Sequence, residues 1–313
     1  MTLSAVPAHS EDHYPTRGNE EHWLERADPV VWSQWSPQAP LTRAQTEDFA
    51  KHGYLVLNNV FAAHEIAALQ AESERLRAPG AGLSPDNLVT EPGSKEVRTV
   101  FRLHEENELF ARLARDERIA GVVSFLLDDD LYVHQSRLNY KPGFTGKEFY
   151  WHSDFETWHA EDGMPRMRAI SASVLLTDND ALNGPLMLMP GSHRRYVSCA
   201  GETPQDNHKS SLKKQEIGVP SPAALSEMAG GFGIDYAAGK AGTVILFDCN
   251  IMHGSNGNIT PFPRSNAFFV YNAWSNRLEA PFAAPAPRPD FLADRAPASP
   301  IAIESGRITG GAS

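Results

Sequence analysis

The chain has only two cysteines in 313 residues, Cys199 and Cys249. Two thiols cannot build a disulfide framework, so a reducing cytoplasm is the simplest compartment to expect. Positive charge is also scarce. Lys and Arg number 28 against 39 Asp and Glu, a net −11 with His neutral. Such a chain is a poor general binder of polyanions, which argues against nucleic acid and anionic membrane as partners. No run of 18 apolar residues occurs, so no bilayer span is expected. Residues Met1 to Pro15 carry His9, Glu11, Asp12 and His13 and lack the apolar stretch of a secretory leader. Internal repeats and low-complexity tracts are absent as well. What is present is a globular composition, 41% hydrophobic and 21% charged, and twelve histidines. Any metal site here would be built from nitrogen and oxygen donors, not thiolates.

The N-terminal stretch is polar and punctuated by Pro7, Pro15, Pro29, Pro37 and Pro40. Residues 1–15 read as a mobile tail, whereas Trp23, Trp32 and Trp35 mark a segment packed on the body. Thr42 is placed to cap a helix running to Lys51 that Gly53 stops. Tyr54–Leu57 reads as a strand, His64–Arg77 as a helix, 79–97 as a long loop, and Glu108–Leu127 as a helix broken at Asp116. From Leu131 the pattern changes to short strand-like runs: Leu131–Tyr140, Ala169–Thr177, Pro185–Met189, Gly242–Phe247 and Asn266–Ala273. Turn residues such as Lys141-Pro-Gly143 and Asn183-Gly184-Pro185 separate them. The expectation is a mainly β core of the α+β class, an antiparallel sandwich or barrel with helices packed on one side. Residues 201–241, rich in Gly, Pro and Ser, read as an insertion. The run Pro281–Pro300 holds six prolines and reads as an extended cover. The domain division expected is a tail at 1–15, one domain at 16–300 and a tail at 301–313.

The segment Phe149-Tyr-Trp-His152-Ser-Asp154-Phe-Glu-Thr-Trp158-His159 contains His-x-Asp. On a strand, residues i and i+2 share a face, so His152 and Asp154 can reach one ion. His253, just after another β-rich run, supplies a third ligand. Two imidazoles and a carboxylate on one face form the facial triad of non-haem Fe(II) oxygenases, which leaves open positions for a bidentate cosubstrate and O₂. Arg264 follows shortly. Its guanidinium can grip a carboxylate through two parallel hydrogen bonds, which suits the far end of 2-oxoglutarate. The remaining histidines read as surface or structural residues. His159 is expected to point off the triad face, and His193 to make a structural hydrogen bond at a turn.

These residues resemble a known family. The whole-chain pattern, from about residue 14 to 300, is similar to the phytanoyl-CoA dioxygenase branch of the 2-oxoglutarate-dependent oxygenases. The segment Phe149–Pro165 resembles the signature of the ectoine hydroxylases within it. The resemblance implies a double-stranded β-helix of the jelly-roll, cupin-like kind, and it implies a reaction: ectoine, 2-oxoglutarate and O₂ become 5-hydroxyectoine, succinate and CO₂. It places Fe(II) on His152, Asp154 and His253. Arg264, Asn139, Lys141 and Ser255 match positions around 2-oxoglutarate, and Gln135, Thr157, Trp158, Phe247, Phe268 and Arg288 match positions around ectoine. It also implies a homodimer. The aromatic residues suit a cationic amidinium, Arg288 suits a carboxylate in bidentate fashion, and for Arg288 to act the Pro-rich tail must fold over the pocket. Competing readings are the same chemistry on an imino acid or acyl-CoA, a non-catalytic cupin-like binding protein, and an interaction module. Arg194-Arg195 and Lys213-Lys214 are the only local basic patches that would favour an acyl-CoA.

Overall fold

Side-chain alternation along strand Arg264–Ala273 sets the architecture. Ala267, Phe269 and Tyr271 point to one side, into a core shared with Leu69, Leu76, Phe110, Leu113 and Val123 from the N-terminal helices. Arg264 and Phe268, of the opposite parity, line a cavity on the other side. A strand with one face on helices and the other on a polar cavity must alternate in this way. The computed structural model describes residues 11–90, 96–212, 215–306 and 308–309.

Two antiparallel sheets carry the fold. The larger has seven strands, in the spatial order Tyr54–Leu57, Val244–Asp248, Ala169–Leu175, Arg264–Ala273, Leu131–Lys141, Val97–Phe101 and Leu88–Thr90. The smaller has four, in the order Asp235–Ala237, Leu186–Leu188, His253–Ser255 and Phe149–His152. Leu186 and Leu188 of the small sheet pack on Ile245, Phe247 and Phe268 of the large one. The result is a double-stranded β-helix of the expected α+β, mainly β class, with the N-terminal helices on the large sheet; helix Pro222–Phe232, packed beside the small sheet against Trp151, Met189 and Met252, departs from the one-sided packing expected.

Local chemistry explains most element ends. Thr42 caps helix Arg43–His52 by accepting from the Gln45 backbone N–H, while the Gln45 side chain accepts from the Thr42 N–H. Gly53 ends that helix at φ +78, and the imidazole of His193 lies where a Cβ would stand, 2.3 Å away. Asp116 ends helix Glu108–Arg115 and caps the following turn through the Arg118 N–H.

Several readings need correction. Residues 79–97 are not a plain loop. Leu88–Thr90 is an edge strand paired with Val97–Phe101, and 91–95 lie outside the described residues. The 201–241 insertion holds a helix, Pro222–Phe232, started by the Ser221 cap with proline in the first turn. Lys213 and Lys214 lie outside the described residues. Of the tail at 1–15, residues 1–10 lie outside the described set, and Tyr14 is fully buried against Phe155 and Tyr196. At the other end Ile308 is buried and Glu304 pairs with Arg115. The tryptophan segment is packed as expected: Trp23 lies on a strand paired with Arg195–Ser198, and Trp32 lies under Arg168.

Candidate active site

The strand Phe149–His152 ends at a candidate metal cluster. Ser153 remains extended, and Asp154 opens a helical turn, Asp154–Thr157. His152 and Asp154 therefore do not share a strand, as the His-x-Asp spacing implied. The extended Ser153 keeps their side chains on one side, and the change to helix at Asp154 turns its carboxylate back. His253 stands directly opposite His152 across the small sheet. The three ligand atoms all lie within 4.8 Å of one another. His152 Nε2 is 3.6 Å from Asp154 Oδ1, and His253 Nε2 is 3.8 Å from Oδ2.

Both imidazoles are oriented by the backbone. His152 Nδ1 is 2.7 Å from the Tyr150 carbonyl and His253 Nδ1 is 3.0 Å from the Ile251 carbonyl. A carbonyl can only accept, so each Nδ1 carries the proton and each Nε2 lone pair faces the cluster. Burial, with His152 beside it, pushes His253 down to about 4, which leaves it neutral at neutral pH. Burial opposes ionisation of Asp154, yet the two imidazoles hold its carboxyl below the ordinary range. Asp154 Oδ2 is buried with no hydrogen-bond partner. An anionic oxygen left open between two imidazole nitrogens fits a divalent cation.

The cluster opens into a cavity of about 500 Å³. One wall is a pair of strands whose inward residues face one another: Arg264 opposite Lys141, Asn266 opposite Asn139, Phe268 opposite Arg137, and Val270 opposite Gln135. Arg264 is buried. Burial alone pulls its guanidinium down to about 10, and no carboxylate among the described residues offsets it. A buried cation facing a cavity without a counter-charge is a site for a ligand carboxylate.

Twelve of the thirteen expected site residues line this cavity: Gln135, Asn139, His152, Asp154, Thr157, Trp158, Phe247, His253, Ser255, Arg264, Phe268 and Arg288. Lys141 is the exception. Its Nζ donates to Ser255 Oγ at 2.8 Å and to the Asn256 carbonyl, which holds it behind the wall. Arg288 also differs from expectation. It does reach the cavity on the folded-over C-terminal segment, but its fork is already taken. Nε and Nη2 grip Asp162 at 2.8 and 2.6 Å, so it cannot offer both to a substrate.

His159 sits on a helical turn, not a strand, stacked between Phe155 and Phe282. Its packing role stands, for a different reason. His193 makes the expected structural contact, to the Ala50 carbonyl.

Sequence reasoning missed Arg137, which lines the cavity beneath Phe268 and donates to Gln135 Oε1. Strand parity was the available signal, since Gln135, Arg137, Asn139 and Lys141 alternate. It also missed the insertion's part in the mouth, where Asn207 donates to Glu161 and Gln215 to Thr157.

The C-terminal cover is tied down at Gly163. Its φ is +82, and a Cβ there would fall 2.2 Å from the Glu279 carbonyl oxygen. Gly163→Ala is therefore expected to cost about 2–3 kcal/mol through left-handed backbone and displaced cover. Thermal unfolding checks this as a lowered midpoint.

The family described as phytanoyl-CoA dioxygenase (PhyH) matches residues 49–266. The ectoine dioxygenase of Sphingopyxis alaskensis is 57% identical over 299 residues, 95% of this chain and 98% of that protein. That of Halomonas elongata is 50% identical over 294 residues, 93% and 88% of the two. The crystal structure of EctD from S. alaskensis with 2-oxoglutarate and 5-hydroxyectoine superposes with a TM-score of 0.88 at 53% identity, covering 95% of this chain and 100% of that one. Its form with bound Fe gives 0.87 at 52% identity, with the same coverage.

Proposed function

The chain belongs to the phytanoyl-CoA dioxygenase family, and on that premise we propose that it is an Fe(II)- and 2-oxoglutarate-dependent dioxygenase that converts ectoine to 5-hydroxyectoine, with 2-oxoglutarate and O₂ becoming succinate and CO₂. Relatives named ectoine dioxygenase at half identity or more over nearly the whole chain support the substrate, as does the related structure with 5-hydroxyectoine. The observation that carries the reading is the pairing, in one cavity, of a His-Asp-His cluster holding an unpartnered carboxylate oxygen with a buried arginine that has no counter-charge.

Iron bound at His152, Asp154 and His253 supplies the oxidising chemistry, coupling decarboxylation of 2-oxoglutarate to insertion of one oxygen atom into a substrate C–H bond. The rest falls to this chain's own residues. His152 and His253 present Nε2, and Asp154 lowers the cluster's charge by one. Arg264 pairs with the far carboxylate of 2-oxoglutarate. Ser255 and Asn139 flank it, and Lys141 holds Ser255 while adding positive potential from behind the wall. Trp158, Phe247 and Phe268 exclude water and attract the amidinium of ectoine, each at about 0.5–2 kcal/mol. Gln135 and Thr157 add polar edges, and Arg288 faces the substrate carboxylate with the donors that Asp162 leaves. Because a carboxylate occupies position 154, no ligand position is left for a halide, and hydroxylation is favoured over halogenation.

The test is mass spectrometry on the iron-loaded protein with ectoine, 2-oxoglutarate and ascorbate. A product 16 mass units heavier than ectoine, in step with succinate, is the expected result. Succinate without oxidised ectoine would keep the reaction class and reject the substrate.

No helix among the described residues is long and apolar enough to cross a membrane. A cytoplasmic location is part of the proposal, and both cysteines, free and buried, agree with a reducing compartment. So are the single domain at 16–300 and the homodimer that the resemblance implies.

A further inference from the structure

Among the anchors of the cover over the cavity, one is a buried carboxylate. Asp162 is the last residue of the turn Trp158–Asp162, which continues directly from the helical turn that begins at Asp154. It is fully buried. Arg288 Nε and Nη2 reach its two oxygens at 2.8 and 2.6 Å, and His134 Nε2 lies 3.2 Å from Oδ2. The Arg295 guanidinium donates to the Asp162 backbone carbonyl. Two other contacts of the cover with the same turn are uncharged: Ala283 N–H donates to the Ala160 carbonyl at 2.9 Å, and Phe282 stacks on His159 with centroids 4.1 Å apart. The adjacent acid, Glu161, is engaged by Arg17 and Asn207 and does not duplicate the contact.

Arg288 sits in a segment without helix or strand, where nothing in the backbone would hold so long a side chain in one rotamer. Asp162 removes that freedom. It also balances a cation that otherwise faces the cavity beside Arg137, with which it is in electrostatic contact. Two unbalanced guanidiniums would repel the amidinium end of a zwitterion. With Nε and Nη2 on Asp162, Nη1 remains uncommitted among the described residues.

We propose that Asp162 is the positioning residue for substrate capture: it locks Arg288 over the cavity as an oriented, charge-balanced donor for the ectoine carboxylate. The proposal rests on ectoine being the substrate. Burial resists ionisation of Asp162, but the guanidinium of Arg288 holds its carboxyl below the ordinary range, in line with a standing pair.

The experiment uses steady-state kinetics of the iron-loaded enzyme, with ectoine and 2-oxoglutarate varied separately. Asp162→Asn is expected to raise the KM for ectoine about tenfold or more, with kcat and the KM for 2-oxoglutarate changed less than about threefold. In an Arg288→Ala background the same change is expected to add less than about twofold, because the residue acts through Arg288. Asp162→Glu keeps the carboxylate and is expected to stay closer to wild type than Asp162→Asn. It also carries the comparison if Asp162→Asn does not fold. An unmoved KM for ectoine, a parallel rise in the KM for 2-oxoglutarate, a full additive loss without Arg288, or a Glu variant no better than Asn would each overturn the proposal. Absence of ectoine turnover in the wild-type control would overturn the functional reading, and the proposal with it, and is distinguishable because it needs no variant.

Discussion

Asp154→Ala is expected to lose hydroxylation by on the order of 10³-fold or more, equivalent to at least about 4 kcal/mol of transition-state stabilisation, while the protein stays folded. Asp154 is the only carboxylate of the three-residue cluster. Without it the two imidazoles offer a two-point site with no anionic ligand. Fold retention follows from the same coordinates. Asp154 Oδ2 has no hydrogen-bond partner, so no hydrogen bond of the fold rests on that oxygen. Alanine suits the first position of the turn Asp154–Thr157. The metal-free variant is therefore expected to stay folded with a midpoint at or modestly below that of wild type, because the lowered Asp154 carboxyl contributes stability at neutral pH, while iron no longer raises its midpoint. Circular dichroism, melting with and without Fe(II), and the product assay together check this. Near-normal hydroxylation would remove Asp154 from the metal site.

Why these ligands could be read from sequence, while the anchor of the cover could not, is a matter of range. His152 and Asp154 are two positions apart, and a single extended Ser153 fixes their relation whether the chain beyond it is strand or helix. The strand expectation was wrong in detail and still gave the right pairing. Arg264 was legible from its offset, eleven residues past His253 and just before the strand-like run Asn266–Ala273. Arg137 shares the strand parity of Gln135, Asn139 and Lys141, which the family resemblance had supplied, yet a buried arginine is unusual enough that the pattern alone did not single it out. Asp162 and Arg288 stand 126 residues apart. Their contact depends on how a Pro-rich segment without periodicity folds back, and no local signal encodes that. Composition also misled at Pro222–Phe232. Gly230 and Gly231 argued for a loop, whereas the Ser221 cap and Pro222 in the first turn decided for helix. Lys141 shows the limit of parity. It shares the inward face with Asn139, but Ser255 Oγ and the Asn256 carbonyl draw its ammonium off the cavity.

Arg264→Ala is expected to raise the KM for 2-oxoglutarate about 100-fold while changing the KM for ectoine less than about threefold. Two charge-assisted hydrogen bonds to a carboxylate contribute roughly 3 kcal/mol together, about two decades in binding. Arg264 and the residues proposed for ectoine occupy different parts of the wall. Arg264 lies at the strand end opposite Lys141, whereas Phe268 and Gln135 lie further along the same pair of strands, so the two effects separate. Arg264→Lys keeps the charge but not the planar fork, and is expected to fall between wild type and alanine. Stability gives an independent readout. Burial costs this guanidinium, drawn down to about 10, and no acid among the described residues compensates it. Its removal is therefore expected to leave the melting point of the ligand-free protein unchanged or raised, and to abolish the rise that 2-oxoglutarate gives the wild type. A cosubstrate dependence that does not move, or a stabilisation by 2-oxoglutarate that survives the substitution, would place the far carboxylate elsewhere, with Lys141 behind Ser255 and the missed Arg137 as the remaining cations of this wall.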